Sequence, residues 1–275
     1  MSYKGVKFSW EKDSLSADVL IAYIDAVGFE SFEEGEKELK AYIQSEEFNK
    51  TILDECLTEL KGVRYEVEEI EDQNWNAVWE SNYDPVLIKD ECYIRAPFHD
   101  AKPDYKYEIV IEPQMSFGTA HHETTSMILE YILENDFEGK TVLDMGCGTA
   151  VLAILAAMKG ADKLTAIDFD EWAYRNSLEN VERNGFDNID VIHGDASAIP
   201  QIDYETIFAN INRNILLADM HSYVVVLKDK GDIFFSGFYL EDLKYIQEKA
   251  ESLGLKFVDH KHQGKWIAAR FTKIN

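Results

Sequence analysis

The sequence predicts a protein of two α/β parts. A small α+β ferredoxin-like domain comes first, and a larger domain follows with a mostly parallel sheet and a C-terminal antiparallel hairpin. Of the 275 residues, 46% are hydrophobic, which is enough to bury a substantial core. Short strand and helix patterns alternate over residues 1–70. From residue 127, helices alternate with strands that are apolar throughout, a pattern typical of parallel sheets covered on both faces.

The first 70 residues predict the element order βαββαβ. Residues 16–27 place Val19, Leu20, Tyr23 and Ile24 on one helical face, and Gly28 follows where such a helix would end. This order is that of a ferredoxin-like module. The expected strands cover residues 3–10, 29–34, 38–43 and 65–70, and the expected helices cover residues 16–27 and 47–60.

A connector is expected over residues 71–104, because Asn, Asp and Pro are mixed there with two tryptophans. Trp75 and Trp79 lie four residues apart and would share one face of a short helix. Asp84 precedes a proline, which favours a turn. The expected division is therefore a domain of residues 1–70, a linker of residues 71–104 and a domain of residues 105–275.

The larger domain is expected to begin with a helix over residues 127–134. Apolar strands and helices then alternate, and a closing pair of strands reads as an antiparallel hairpin. The expected strands cover residues 141–144, 163–168, 190–193, 206–210, 232–235, 257–259 and 265–271.

The charge balance excludes some partners. The chain has 27 basic and 52 acidic residues, a net charge of −25, and residues 1–72 alone hold 19 acidic and eight basic residues. Such a field repels phosphates, so direct nucleic-acid binding is not expected, and a basic protein is the more natural partner. The alternative is that the charge only confers solubility. No apolar run approaches the roughly 18 residues of a membrane span, and three widely spaced cysteines form no disulfide framework, so a cytoplasmic protein is expected.

The strongest chemical signal lies in residues 141–170, where an apolar strand runs into a glycine turn and then a helix. Gly146 and Gly148 allow a tight turn and a close approach of a ligand to the backbone. Asp168 ends the next strand, twenty residues after Gly148, with a carboxylate that can accept both hydroxyls of a ribose. Together these features predict an adenosine-type ligand beyond the carboxyl ends of the strands.

The residues around the glycines narrow the choice of ligand. A dinucleotide fingerprint needs a third glycine where Val151 stands, and Asp144 would put negative charge beside a pyrophosphate. The same carboxylate suits the cationic amino-acid end of S-adenosylmethionine. Asp195 follows the third strand and could contact the adenine amino group or, equally by spacing, cap a helix.

The fourth strand ends at Asn210, whose carbonyl oxygen could accept a hydrogen bond from an incoming amine or serve as a structural amide. Upstream, in residues 112–127, Gly118 permits a tight loop and Thr124 or Thr125 could cap the next helix. Adjacent histidines at 121 and 122 point apart and lack an evident third ligand, so no metal site is expected.

These motifs resemble those of the ribosomal protein L11 methyltransferases, the PrmA family of class I S-adenosylmethionine-dependent methyltransferases. The stretch EPQMSFGTAHHETT is similar to the family's E-P-G-M-A-F-G-T-G-T-H-P-T-T. VLDMGCGTAVLAI is similar to its V-L-D-V-G-C-G-S-G-I-L-A-I, and FANINRNIL contains a counterpart of its A-N-I-L strand end. The resemblance is firmest over residues 112–240 and weak over residues 1–70.

The resemblance implies a two-domain enzyme whose N-terminal domain holds a basic protein of the large ribosomal subunit. Its Rossmann-like domain would bind S-adenosylmethionine and methylate lysine side chains or the N-terminal amine. Phe117 and Asn210 would frame the amine as an apolar wall and a hydrogen-bond acceptor. The residues then expected to bind the cofactor are Thr119, Thr125, Asp144, Gly146, Gly148, Asp168, Asp195 and Asn210.

Several residues depart from the family pattern. Gln114, Ala120, His121 and Glu123 replace Gly, Gly, Thr and Pro in a loop expected to cover the cofactor. Ala150 replaces the third motif glycine, a mild change if that residue has helical dihedral angles. Two alternatives therefore stay open: a methyltransferase acting on another protein or a small metabolite, and a non-catalytic protein that binds S-adenosylmethionine.

Overall fold

The computed structural model describes residues 3–11, 15–35, 37–58, 60, 62–70, 83–114 and 117–274. The chain divides into two compact units, Met1–Tyr83 and Asp84–Asn275. None of the helices in the described ranges is long and apolar enough to cross a membrane.

The first unit has the predicted βαββαβ order and a fully antiparallel sheet, which confirms the ferredoxin-like topology. Alternate residues of the first strand, Val6, Phe8 and Trp10, are buried beneath the two helices' apolar faces. The strands lie in the order β2-β3-β1-β4. The elements are β1 (Tyr3–Trp10), α1 (Ala17–Ile24), β2 (Ser31–Gly35), β3 (Glu38–Gln44), α2 (Lys50–Cys56) and β4 (Val63–Ile70).

Side-chain caps and one glycine set the ends of these helices. The Ser16 hydroxyl accepts a hydrogen bond from the Val19 N–H at the start of α1. The side-chain Oδ1 of Asn49 accepts one from the Thr51 N–H at the start of α2. A short 3-10 turn extends α1 to Val27, and Gly28 ends it in a left-handed conformation, φ +87°. Because Asn49 caps its start, α2 begins only at Lys50, and it ends at Cys56, so it is shorter than the residues 47–60 expected from the sequence.

The expected linker of residues 71–104 differs from what the structure describes. Trp75 and Trp79 lie outside the described residues. Residues 84–104 belong to the second unit, where β5 (Val86–Ile88) and β6 (Cys92–Arg95) pair antiparallel and β7 (Tyr107–Val110) pairs parallel with β6. Cys92 and Ile94 are buried in the core of that unit, so this stretch is a structural part of it and not a connector.

The second unit is built on a seven-stranded sheet of order β10-β9-β8-β11-β12-β14-β13. The first five of these strands are parallel, and β14 pairs antiparallel with both of its neighbours. The parallel sheet and the closing hairpin are therefore confirmed. The strands are β8 (Thr141–Met145), β9 (Lys163–Asp168), β10 (Ile189–His193), β11 (Tyr204–Asn210), β12 (Leu227–Tyr239), β13 (Leu255–Gln263) and β14 (Trp266–Lys273).

Successive apolar residues of these strands enter separate cores on the two sheet faces. In β11, Ile207 packs in one core and Phe208 in the other, and in β12 Phe235 and Phe234 do the same. This explains why the strands lack polar alternation. The covering helices are α3 (Glu123–Glu134), α4 (Val151–Met158), α5 (Glu171–Arg183), α6 (Arg213–Val226) and α7 (Leu243–Ser252).

Three asparagines spaced four residues apart, two in α5 and one at its C-cap, hold the end of β7 and the segment that follows it. Asn184 accepts the Val110 N–H and donates to the Val110 carbonyl, at 2.9 and 2.8 Å. Asn180 accepts the Glu112 N–H at 2.8 Å, and Asn176 donates to the Glu112 carbonyl at 3.2 Å. Because Asn176 and Asn180 are fully buried, these bonds fix where the chain enters the loop before α3.

The turn between β8 and α4 depends on left-handed backbone at three positions. Gly146 and Gly148 have φ of +69° and +56°. Ala150 is also left-handed, φ +63°, so the expectation of a mild replacement under helical dihedral angles does not apply. A left-handed conformation costs a residue with a Cβ roughly 1–2 kcal/mol. A Cβ on Gly148 would lie 2.1 Å from the Phe117 carbonyl oxygen, which makes glycine necessary there.

We expect Gly148→Ala to destabilise the second unit more than Gly185→Ala does. Gly185 is also left-handed, φ +76°, but a Cβ there meets nothing within 4 Å, so its substitution measures backbone strain alone, about 1 kcal/mol. At Gly148 the collision with Phe117 adds roughly 1–3 kcal/mol of overpacking. Urea unfolding of both variants measures the difference, and equal losses would contradict a rigid contact at Phe117.

Candidate functional site

A cavity of about 1090 Å³ opens where β8, β9, β10 and β11 end. Six of the residues predicted from the sequence line it, whereas Thr119, Thr125 and Asp144 do not. The predicted residues that line the cavity are Phe117, Gly146, Gly148, Asp168, Asp195 and Asn210.

Asp168 is held by backbone N–H groups at the end of β9. Its Oδ2 accepts the Gly148 N–H at 2.9 Å, and its Oδ1 accepts the Asp170 N–H at 3.0 Å. Each carboxylate oxygen keeps a free lone pair, because an ionised carboxylate offers about four acceptor sites. The side chain is only 7% exposed, so a neighbouring diol would meet a preoriented acceptor.

Asp195 caps a short turn and also lines the cavity. Its Oδ1 accepts the Ser197 N–H at 2.9 Å and the Ser197 hydroxyl at 2.6 Å, so it caps the short 3-10 turn of residues 196–198. These hydrogen bonds lower the pKa of the carboxyl. The same side chain lines the cavity and is solvent-exposed there, so capping does not remove it from the site.

Asn210 ends β11 at the cavity and has one unsatisfied polar atom. Its Nδ2 donates to the Thr125 hydroxyl at 3.3 Å, which fixes the amide against α3. Its Oδ1 is buried and has no hydrogen-bond partner in the part of the chain that the structure describes. An unpaired buried acceptor costs roughly 1–3 kcal/mol, so this oxygen calls for a donor. Thr125 itself is buried and does not line the cavity, but its hydroxyl positions the Asn210 amide that does.

The Phe117 segment packs directly on the glycine turn. The Phe117 carbonyl accepts the Thr149 N–H at 3.0 Å, and the Thr149 hydroxyl donates to the Gly118 carbonyl at 2.6 Å. Phe117 remains 52% exposed and lines the cavity. Thr119 contacts the His121 ring through its hydroxyl, at 3.1 Å, and does not reach the cavity.

Asp144 does not occupy the position expected of it. It is fully buried beneath the glycine turn, where Oδ2 accepts the Ala153 N–H of α4 at 3.3 Å and Oδ1 has no hydrogen-bond partner among the described residues. Burial raises the pKa of its carboxyl to about 7. Because Asp144 is absent from the cavity wall, the geometry does not support its expected direct contact with a ligand's cationic end.

The two adjacent histidines point to different neighbours. His121 lies with Nε2 2.8 Å from the Asp84 carbonyl, while His122 lines the cavity. The His122 ring caps α3 by accepting the Thr124 N–H, so the prediction that Thr124 or Thr125 is the cap is wrong. Within the described ranges, no group of three or more His, Cys, Asp or Glu side chains is placed to hold a metal ion.

Sequence reasoning missed residues that reach the cavity from distant segments. Gly237 lies in β12 with φ +91°, and a Cβ there would meet the Ile211 carbonyl at 2.4 Å. Trp266 begins β14 and contacts the His122 ring, with centroids 4.8 Å apart. Phe169 and Trp172 are 70% and 69% exposed at the cavity. Of these residues, only Phe169 and Trp172 could have been identified locally. They place large apolar side chains at the start of a helix, just after Asp168.

We expect Asp144→Asn to stabilise the protein more at pH 8 than at pH 5. Folding raises the pKa of this carboxyl to about 7 from an unfolded value of about 3.9. The free energy of unfolding therefore falls as the pH rises from about 4 to 7, and the whole loss is present above pH 7. An uncharged amide removes a penalty of roughly 2–4 kcal/mol at pH 8 and about 1 kcal/mol at pH 5. Urea unfolding at both pH values tests this, with Asp162→Asn as the exposed control. A gain independent of pH would contradict it.

The comparisons with known proteins agree with this geometry. The profile of the family described as ribosomal protein L11 methyltransferase (PrmA) matches residues 5–274. A ribosomal protein L11 methyltransferase of Phocaeicola vulgatus is 47% identical over 260 residues, which cover 92% of each chain. That of Chlorobaculum parvum is 31% identical over 285 residues, covering 98% of this chain and 96% of the relative.

A solved structure shows the same architecture over 70% of this chain. The crystal structure of a ribosomal protein L11 methylase from Lactobacillus delbrueckii subsp. bulgaricus superposes with a TM-score of 0.65 at 25% identity, covering 70% of this chain and all of that one. A methyltransferase from Pyrococcus furiosus shares the fold, with a TM-score of 0.51 at 21% identity. Given a profile match over nearly its whole length and close relatives of similar length, the chain belongs to the ribosomal protein L11 methyltransferase family.

Proposed function

We propose that this chain transfers methyl groups from S-adenosylmethionine to amino groups of the large-subunit ribosomal protein L11. The observation that carries the chemistry is Asn210, a residue of the cavity wall whose buried Oδ1 has no hydrogen-bond partner among the described residues. Family membership supports the methyl transfer, and the relatives' names supply the protein substrate.

The cavity's residues suit a sulfonium nucleoside. Asp168 offers two preoriented oxygens for a ribose, and Asp195 at the next strand end offers its free oxygen to an exocyclic amine. The glycine turn leaves room for backbone contact with the amino-acid end, because Gly146 and Gly148 carry no side chains. S-adenosylmethionine, when bound, supplies an electrophilic methyl group.

The acceptor amine must be neutral to attack, although the reference pKa of lysine is about 10.4. Apolar surroundings lower an amine's pKa, while a nearby carboxylate raises it. The exposed Phe117 ring supplies an apolar wall, and Asn210 supplies an uncharged acceptor. A hydrogen bond from the amine to Asn210 Oδ1 would orient its lone pair, so positioning and desolvation would supply most of the catalysis.

The first unit is the proposed substrate-recognition domain. Residues 1–72 carry 19 acidic and eight basic residues, and this negative field would speed the encounter with a basic ribosomal protein. The same field disfavours direct contact with RNA phosphates. We place the reaction in the cytoplasm, where ribosomal proteins are made and assembled.

Asn210→Ala should lower kcat by about 10²-fold, because it removes a group that orients the amine in the transition state. The dissociation constant for S-adenosylmethionine, measured by calorimetry, should stay within about threefold. Asn188→Ala is the matched control, since that amide bonds the Ala161 and Asp162 carbonyls and does not line the cavity. Unchanged turnover in Asn210→Ala would refute the proposed role.

The substrate is tested by intact-mass analysis of separated ribosomal proteins after incubation with the enzyme and S-adenosylmethionine. We expect mass increments of one or more methyl groups on L11 alone. Increments on a different protein would overturn the assignment of L11, and binding of S-adenosylmethionine with no increment on any candidate would support a non-catalytic protein.

A further inference from the structure

A continuous row of aromatic rings forms one side of the cavity. Trp266 is central: its ring centroid lies 4.8 Å from that of His122 and 4.4 Å from that of Tyr239. His122 in turn lies 5.1 Å from Phe117. The rings of Phe117, His122 and Trp266 line the cavity, and we call these three residues the aromatic wall.

The wall comes from two parts of the fold, the loop before α3 and the start of β14. Phe117 is held by the glycine turn through its carbonyl, and His122 is held as the cap of α3. Trp266 pairs with Tyr239 across β14 and β12, so the Tyr239 ring supports it from outside the cavity. The rings of His122 and Trp266 and the backbone of Phe117 are therefore held in place, which reduces the ordering required on binding.

The wall and the proposed amine acceptor meet at the start of α3. His122 caps this helix, and Thr125, one turn later, holds the Asn210 amide. One helix end thus connects the wall to the unpaired Asn210 oxygen. An amine bound to Asn210 would have the wall as an apolar neighbour in the same cavity.

We propose that the aromatic wall retains a methylated amine between successive transfers and so sets how many methyl groups one amine receives. This inference rests on the proposed function. In each transfer the amine lone pair forms an N–C bond, the S–C bond of the sulfonium breaks, and its electron pair stays on sulfur as a thioether. The product ammonium then gives a proton to water before the next transfer, or keeps a fixed charge after the third.

Methylation changes which contacts can hold the amine. Each added methyl group removes one N–H, so the hydrogen bond to Asn210 is lost at the latest when no N–H remains. The cation–π attraction of the aromatic wall persists, because it needs charge and not a donor. Since this attraction extends the lifetime of a desolvated cation by roughly tenfold, Trp266 becomes the main retaining group as methylation proceeds.

The binding test compares two probes in the presence of S-adenosylhomocysteine: N-acetyl-trimethyllysine methylamide and its uncharged analogue with carbon in place of the quaternary nitrogen. We expect the wild-type chain to prefer the charged probe by about tenfold, by NMR titration, and Trp266→Leu to lose most of this preference. Trp266→Phe, which keeps a ring, should retain it. Equal affinity of the two probes for the wild-type chain would overturn the proposal.

The product test starts with isotope-labelled L11 as substrate and then adds excess unlabelled L11, which occupies any enzyme that has released its labelled substrate. The methyl groups on the labelled L11 are counted by mass. Trp266→Leu should lower the ratio of multiply to singly methylated product about fivefold or more, while the first transfer slows less. Tyr245→Leu, a surface ring under Lys244 on α7, is the aromatic control and should match the wild type. An unchanged ratio in Trp266→Leu would overturn the proposal, whereas no methylation by the wild type would overturn the proposed function itself.

Discussion

The second unit depends on a close backbone contact between the glycine turn after β8 and the loop before α3. Gly148 gives its N–H to Asp168 and leaves no space for a Cβ against the Phe117 carbonyl. The same few atoms therefore join three segments: the turn after β8, the end of β9 and the loop before α3. Because each segment contributes to the cavity wall, the shape of the cavity follows from this approach rather than from flexible side chains.

The sequence allowed prediction of what is encoded locally. The apolar strands of the large sheet and the positions of Asp168 and Asn210 at their ends were confirmed, because burial on both sheet faces leaves a strong pattern. The ferredoxin-like order of helices and strands was likewise predictable from the spacing of hydrophobic residues alone. Ala150 was not, since alanine has no local preference for the left-handed conformation that it adopts here.

Other features depended on tertiary contacts that no local pattern carries. Asp144 lies near the end of an apolar strand, as Asp168 does, yet the packing of α4 buries it and excludes it from the cavity. Trp266 lies far along the chain from His122, and only the antiparallel insertion of β14 brings the two rings together. Residues 84–104 look like a connector in composition because short strands with turns share the residue types of linkers.

The cavity is also asymmetric in charge. Four aspartates line it, at positions 168, 170, 195 and 219, whereas the lining residues in the described part of the chain include no lysine or arginine. Burial and the neighbouring Asp195 raise the pKa of Asp219, as expected where negative charge is not compensated. Such a site favours cationic ligands over neutral ones, consistent with both a sulfonium donor and an ammonium product.

The asparagines of α5 have a consequence for the small sheet of β5, β6 and β7. Both polar groups of Val110 on the outer side of β7 are bonded by the single Asn184 side chain. A helix thus supplies what another strand would otherwise provide, and the exposed border of the sheet presents fewer free groups to a second molecule. Because this edge is satisfied within the chain, edge-to-edge pairing of β7 with a second molecule is disfavoured.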